Sequence, residues 1–256
     1  MEIDIKINVI VISYKDNKKA LKKVFKAWQQ QVNVNTEIIL TTVKDDPSVS
    51  VAKKMGVKTI VLNDKPSIPE QLNNGYNMAS GKYVTCAGGH DIPPNDKLLN
   101  EVQLCESLNV PLCYSDFYNV DEKMNIISYY KAGLYDYIRH LKGNFVPDNA
   151  LCRLDILRKY LPLHWEYDNS AYWDLWLRIA EGEGEKSFVY NNKPGLFYIQ
   201  NGKGRHTRKL GNKKLWNHDE KTKCKMLQSH GCIYEPIPYE LRYGNKRRKT
   251  GKWKKG

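Results

Sequence analysis

The chain has 256 residues, of which 41% are hydrophobic and 27% charged, with a mean hydropathy of −0.62; that balance belongs to a folded globular protein and excludes disorder throughout. No apolar stretch approaches the roughly 18 residues of a membrane span, and the six cysteines form no CxxC pair, the usage of reduced thiols in a cytoplasmic protein. The formal net charge of +13 is lopsided: residues 203–256 hold 17 Lys and Arg against 4 Asp and Glu, which leaves residues 1–202 neutral.

The opening residues carry acids and a lysine before a short apolar run, which reads as a strand over 7–13 and unlike a signal peptide. Residues 17–31 have helical spacing, with Leu21, Val24, Phe25 and Trp28 on one face. Strands follow at 36–42 and 57–63, then a helix at 69–79 and a strand at 81–87. This alternation predicts an α/β protein, a mostly parallel sheet with helices on both faces. Residues 96–108 read as a helix, 111–120 as a strand with 126–130 as a candidate partner, and 153–161 as a helix after the turn signal VPDN. In YWDLWLRIAEGEG the spacing places Trp173, Trp176, Leu177 and Ala180 on one helical face, with Gly182 and Gly184 to end the helix. Asp174 and Arg178, four apart on the other side, fit a surface ion pair. Within TCAGGHDIPP (85–94), a histidine and an acid fall at the carboxyl end of a strand, where open α/β sheets bind ligands. His218, Cys224, His230 and Cys232 could supply zinc ligands, but their spacing fits no usual finger pattern.

Taken together and in this order, the segments VIVISYKD, FKAWQQQVNVNTEIIL, NNGYNMASGKYVTCAGGHDIPPNDKL, VPDNALCRLDIL and YWDLWLRIAEGEG resemble the family 2 glycosyltransferases of GT-A fold, over residues 7–207. The resemblance implies a Rossmann-like nucleotide-sugar transferase domain over 1–202, a basic helical extension over 203–240 and a flexible basic tail over 241–256. It implies transfer of a hexose or pentose from a nucleotide-diphosphate donor to an acceptor hydroxyl, with inversion. A divalent cation would stabilise the leaving diphosphate and a carboxylate would act as general base.

Each implied role departs from the family pattern. Where the metal motif has Asp-any-Asp, this chain has Gly88, Gly89, His90 and Asp91. His90 and Asp91 remain as ligands, with His206 as a late third, and the imidazole favours Mn²⁺ over Mg²⁺. His90 also reads as a diphosphate-facing donor or a structural loop residue. The donor pocket would draw on Ser13, Tyr14 and Asn73, with Thr41 and Thr42 in place of an acidic pair. Asp64 is a further candidate for it, or else a turn former before Pro66. The Glu-Asp of the base position is replaced by Ala171 and Tyr172. Asp168 and Glu166 lie on the preceding loop, where a shifted carboxylate could reach the same hydroxyl, and the base would be Asp168 or the retained Asp174.

The basic segment, with Arg205, Arg208, Arg242, Lys246, Arg247 and Arg248, predicts a polyanionic partner. That partner would be a nucleic acid, such as a modified pyrimidine in DNA, or an anionic membrane surface presenting an envelope or lipid-linked glycan. Tyr243 and Trp253 interleave with the charges as a stacking arm would. The alternative is a non-catalytic nucleic-acid binder on a degenerate fold of this type.

Overall fold

The computed structural model describes residues 3–63, 66–200, 213–236 and 252–255. Its first half is β1 (Ile3–Ile12), α1 (Lys18–Gln29), β2 (Val34–Val43), α2 (Pro47–Lys54), β3 (Lys58–Leu62), α3 (Ile68–Met78) and β4 (Tyr83–Gly88). The four strands lie in the order β3-β2-β1-β4, all parallel. The helices begin where side chains can satisfy the exposed backbone donors. Asn17 accepts from Lys19 and Ala20 at α1, Asp46 accepts from Ser48 at α2 ahead of Pro47, and Ser67 accepts from Glu70 at α3.

β1 sends alternate side chains to opposite faces, as a pleated strand must. Val9 and Val11 join Leu21, Phe25, Trp28, Leu98 and Val102 in one core. Ile10 joins Leu72, Tyr76, Val84, Tyr172 and Trp176 in the other. On the second face α3 presses so close that a Cβ on Gly75 would stand 2.2 Å from Ile10 Cγ2. Gly75→Ala is therefore expected to cost about 1–3 kcal/mol by overpacking. Urea unfolding reads this directly, and unchanged stability would show that Ile10 moves aside freely.

The second half is β5 (Asp91–Ile92), α4 (Lys97–Leu108), β6 (Leu112–Val120), β7 (Ile126–Tyr130), α5 (Tyr137–Lys142), β8 (Leu151–Arg153), α6 (Leu154–Tyr160), a 3-10 helix (Trp165–Ser170), α7 (Ala171–Glu183), a second 3-10 turn (Glu185–Ser187) and β9 (Phe188–Ile199). Short β8 bridges the halves, pairing antiparallel with β4 at Val84 and with β6 at Leu112, both through Cys152. β6 continues beyond it and takes β7 as an antiparallel neighbour, the pairing predicted for 126–130. On its far side β6 pairs parallel with β9, which pairs with β5. The sheet is thus mainly parallel in its first half and mixed in its second.

Beyond the sheet, α8 (Lys213–Ser229) leads to β10 (Cys232–Glu235), which pairs antiparallel with β11 (Lys252–Lys255). Residues 252–255 lie within the segment expected to be a flexible arm, yet they form this strand. Met226, Leu227 and Cys232 pack on Leu141, Trp173 and Leu177, so one face of α7 is covered by the extension and the other by the sheet core. Among the described residues no helix is long and apolar enough to cross a membrane.

Candidate functional site

The strand order reverses beside β1: the chain runs from β1 out to β2 and β3, then returns to β4 on the other flank. Ile12 and Gly88 stand opposite each other at the two carboxyl ends. A cavity of about 510 Å³ opens there, within the size range of small-molecule sites. Ile12, Ile68 and Leu72 form apolar wall, the loop 144–149 faces them, and His90, Asp91 and Asp148 are the ionisable side chains in the lining.

The loop after β4 is built from short polar contacts. Gly88 N donates to Asp91 Oδ2 at 2.6 Å. Trp28 Nε1 donates to the Asp91 carbonyl at 3.2 Å, fastening the loop to α1. His90 Nε2 lies 2.8 Å from Asp16 Oδ1. Position 89 must be glycine for that pairing, because a Cβ there would fall 2.2 Å from Asp16 Oδ2. Asp148, opposite, is open to solvent at the cavity while protein crowds its carboxyl on the other sides. That crowding, with the neighbouring Asp91 carboxylate adding like charge, pushes it up to about 7. Asp148 was not singled out from the sequence. VPDN reads there as a turn, and only the fold brings it against Asp91.

The residues expected to hold the donor divide into three groups. Ser13 and Thr41 lie at the ends of β1 and β2, buried, and among the described residues their hydroxyls have no hydrogen-bond partner. Tyr14 is exposed beside them, whereas Thr42 is spent on Ser48 at 2.8 Å. Asn73 is spent too: its amide donates to Leu163 O at 2.9 Å and accepts from Leu163 N at 2.8 Å. None of these five residues lines the cavity itself; Ser13 follows Ile12, which does. Asp64, His206, Arg205, Arg208, Arg242, Lys246, Arg247 and Arg248 lie outside the described residues.

Asp174 is not on a solvated face, as its spacing suggested, but 1% exposed. Arg178 reaches its Oδ2 at 2.7 Å, His164 Nδ1 stands 3.2 Å from the same oxygen, and His230 Nε2, from the extension, is 3.2 Å from Oδ1. Burial alone would raise this carboxyl, but the surrounding cations outweigh it and hold it below the usual range. This carboxylate is enclosed and is absent from the cavity wall. Asp168 is half-buried in the 3-10 helix, at φ 42° and ψ −112°, and it too is away from that wall. At the replaced base position the Tyr172 hydroxyl meets Tyr76. Of the suggested zinc ligands, Cys224 Sγ donates to Tyr234 O and Cys232 Sγ to His230 O. Among the described residues no three His, Cys, Asp or Glu side chains gather as a metal site.

Fold and cavity together define an α/β protein with a ligand site at the switch point of its sheet. The sequence matches the model of glycosyl transferase family 2 over residues 8–161, and the chain belongs to that family. The structure is similar to S. aureus TarS 1-349 in complex with UDP-GlcNAc, with a TM-score of 0.62, 11% identity, and 88% of this chain and 72% of that chain covered. It is likewise similar to glucosyl-3-phosphoglycerate synthase from Mycobacterium tuberculosis in complex with Mn²⁺, UDP-glucose and phosphoglyceric acid, with a TM-score of 0.63, 14% identity, and coverage of 90% and 84%. The longer TarS chain is covered over only 45% of its length. No curated protein matches in sequence. These likenesses bear out the expected GT-A architecture.

Proposed function

We propose that the protein transfers a hexose or pentose from a nucleoside-diphosphate donor to an acceptor hydroxyl in the cavity, with inversion. The carrying observation is the acid-lined cavity at the carboxyl ends of β1 and β4 in a family 2 chain. Ser13 and Thr41, whose buried hydroxyls lack partners among the described residues, are suited to bind base or ribose, with the Tyr14 ring beside them. UDP-sugars are the first donors to test, since both structural relatives were crystallised with one.

A divalent cation fits the residues present. Asp91 and Asp148 both face the cavity, and the Asp16 carboxylate orients His90 through Nε2, leaving Nδ1 for a metal as in carboxylate–histidine–metal arrangements. Asp91 and His90 would hold it, with Mn²⁺ favoured over Mg²⁺. When bound, it would offset charge on the departing diphosphate. The charge excess in residues 203–256 supports an acceptor that is polyanionic or sits on an anionic surface.

A thermal-shift series with UDP-glucose and UDP-GlcNAc, with and without Mn²⁺, tests this. At about one hundred times Kd a donor adds about 2.7 kcal/mol by mass action, a rise of about 5–10 °C for a chain this size. The Mn²⁺-dependent part should vanish in Asp91→Ala. A rise indifferent to Mn²⁺ removes the cation assignment. Binding of duplex DNA with no response to any nucleotide sugar would favour a non-catalytic binder instead.

A further inference from the structure

The loop 144–149 is held by its backbone. The Thr85 hydroxyl donates to the Asn149 carbonyl at 2.8 Å, the Cys86 thiol donates to the Asp148 carbonyl at 3.2 Å, and the buried Lys97 ammonium reaches Asn149 O at 3.3 Å. Three donors from β4 and α4 therefore anchor two successive carbonyls around the Asp148 side chain. Among the described residues no hydrogen bond is made to its carboxylate, which lines the cavity and is exposed through it. A side chain anchored through its backbone and left open at its functional end is preorganised for a partner that the fold does not supply.

The other candidates are committed elsewhere. Asp91, the second carboxylate on the wall, accepts from Gly88 N within a strand pinned to Tyr198. His90 is turned to Asp16, and Asp174 is enclosed by Arg178, His164 and His230. Tyr172 lines the cavity, but its phenol is bonded to Tyr76 and buried, and it holds its proton far more tightly than a free phenol. Tyr172 also interacts with the Cys86 thiol, the group bonded to the Asp148 backbone. The Cys86 thiol thus joins the backbone of Asp148 to Tyr172, one of the two positions where acids are replaced, and both residues line the same cavity.

We infer that Asp148 is the catalytic base: its carboxylate takes the proton of the acceptor hydroxyl as that oxygen bonds to the anomeric carbon. The bond from that carbon to the diphosphate oxygen breaks, and its electron pair leaves on the diphosphate. The inference rests on the transferase reading above and adds the base to it.

Water serves as a universal acceptor, so the test is UDP release from UDP-glucose and UDP-GlcNAc with Mn²⁺, alongside donor affinity by calorimetry. Wild-type, Asp148→Asn and Asp148→Glu proteins are compared. Asp148→Asn is expected to keep its melting temperature, to bind donor within about threefold of wild type, and to release UDP at least about 100-fold more slowly. Asp148→Glu should recover part of the rate. Release within about threefold of wild type in Asp148→Asn would overturn the assignment. Loss of the Mn²⁺-dependent share of donor affinity would overturn it as well, making Asp148 a cation ligand. A wild-type protein that binds donor but releases no UDP also overturns it, because a base facing the anomeric carbon activates water. Failure of the wild type to bind either sugar would sink the transferase reading itself, and this inference with it.

Discussion

Lys97→Met is expected to destabilise the protein by about 3–5 kcal/mol at neutral pH, the usual cost of leaving one partner of a buried ion pair uncompensated. The Lys97 and Glu101 side chains are 1% and 0% exposed. The ammonium reaches both carboxylate oxygens, at 2.6 and 2.5 Å. The Ser115 hydroxyl adds a third bond, to Oε1 at 2.5 Å, and Asn191 donates to that hydroxyl at 3.1 Å. One network therefore ties α4 to β6, β9 and the carbonyl of Asn149. Burial raises the Glu101 carboxyl above its ordinary value even with Lys97 present, and without Lys97 the rise would be larger. An acid whose folded-state value is raised favours folding at low pH and loses that advantage as pH rises, so the deficit should narrow towards the unfolded carboxylate range. Urea unfolding at pH 7 and about pH 5 reads both effects. The double variant Lys97→Met with Glu101→Leu should recover most of the loss, since an apolar replacement of matching volume is often neutral. A single variant as stable as wild type at pH 7 would show that water already solvates the pair.

The strand and helix alternation of the first half was legible because each element carries its own periodicity, as in Leu21, Val24, Phe25 and Trp28 on α1. α2 was not, although Asp46 and Pro47 are start signals, because its eight residues hold only Val51 and Ala52 as buried apolar positions. β9 was missed for the opposite reason. Its Asn-Asn-Lys-Pro-Gly reads as a turn, yet Pro194 and Gly195 fall where β9 bulges against Asp116 and Phe117, one of the places a strand accepts them. The site was legible by position and not by role. The run ending in Asp91 does face the cavity, but whether His90 points to a metal or to Asp16 depends on a loop 74 residues earlier. The same holds for Asp174. Helical spacing puts it opposite the tryptophan face, and nothing local reveals that the extension brings His230 down upon it.

That contact supplies the second large effect. His230 is buried between Asp174 and Glu181, 3.2 Å and 2.8 Å away. Burial works against a charged ring, but the two carboxylates outweigh it and hold the imidazole up at about 9 from 6.5. A shift of that size corresponds to stabilisation on the order of 3 kcal/mol. Because the folded value is raised, the contribution is complete below about pH 6.5 and fades as pH rises through 9. The loss should be local, since the ion cluster and the apolar contact of Met226 and Leu227 with Trp173 and Leu177 are what join α8 to α7. Hydrogen exchange, corrected for the intrinsic pH dependence of the amides, should show α8 opening more readily at pH 10 than at pH 6. Protection of β1, β2 and β4 should change little. His230→Gln should show weak α8 protection at both pH values, with Arg178 and His164 still pairing with Asp174 and keeping α7 folded. Equal α8 protection in wild type at the two pH values would mean that the apolar contact alone holds the extension in place.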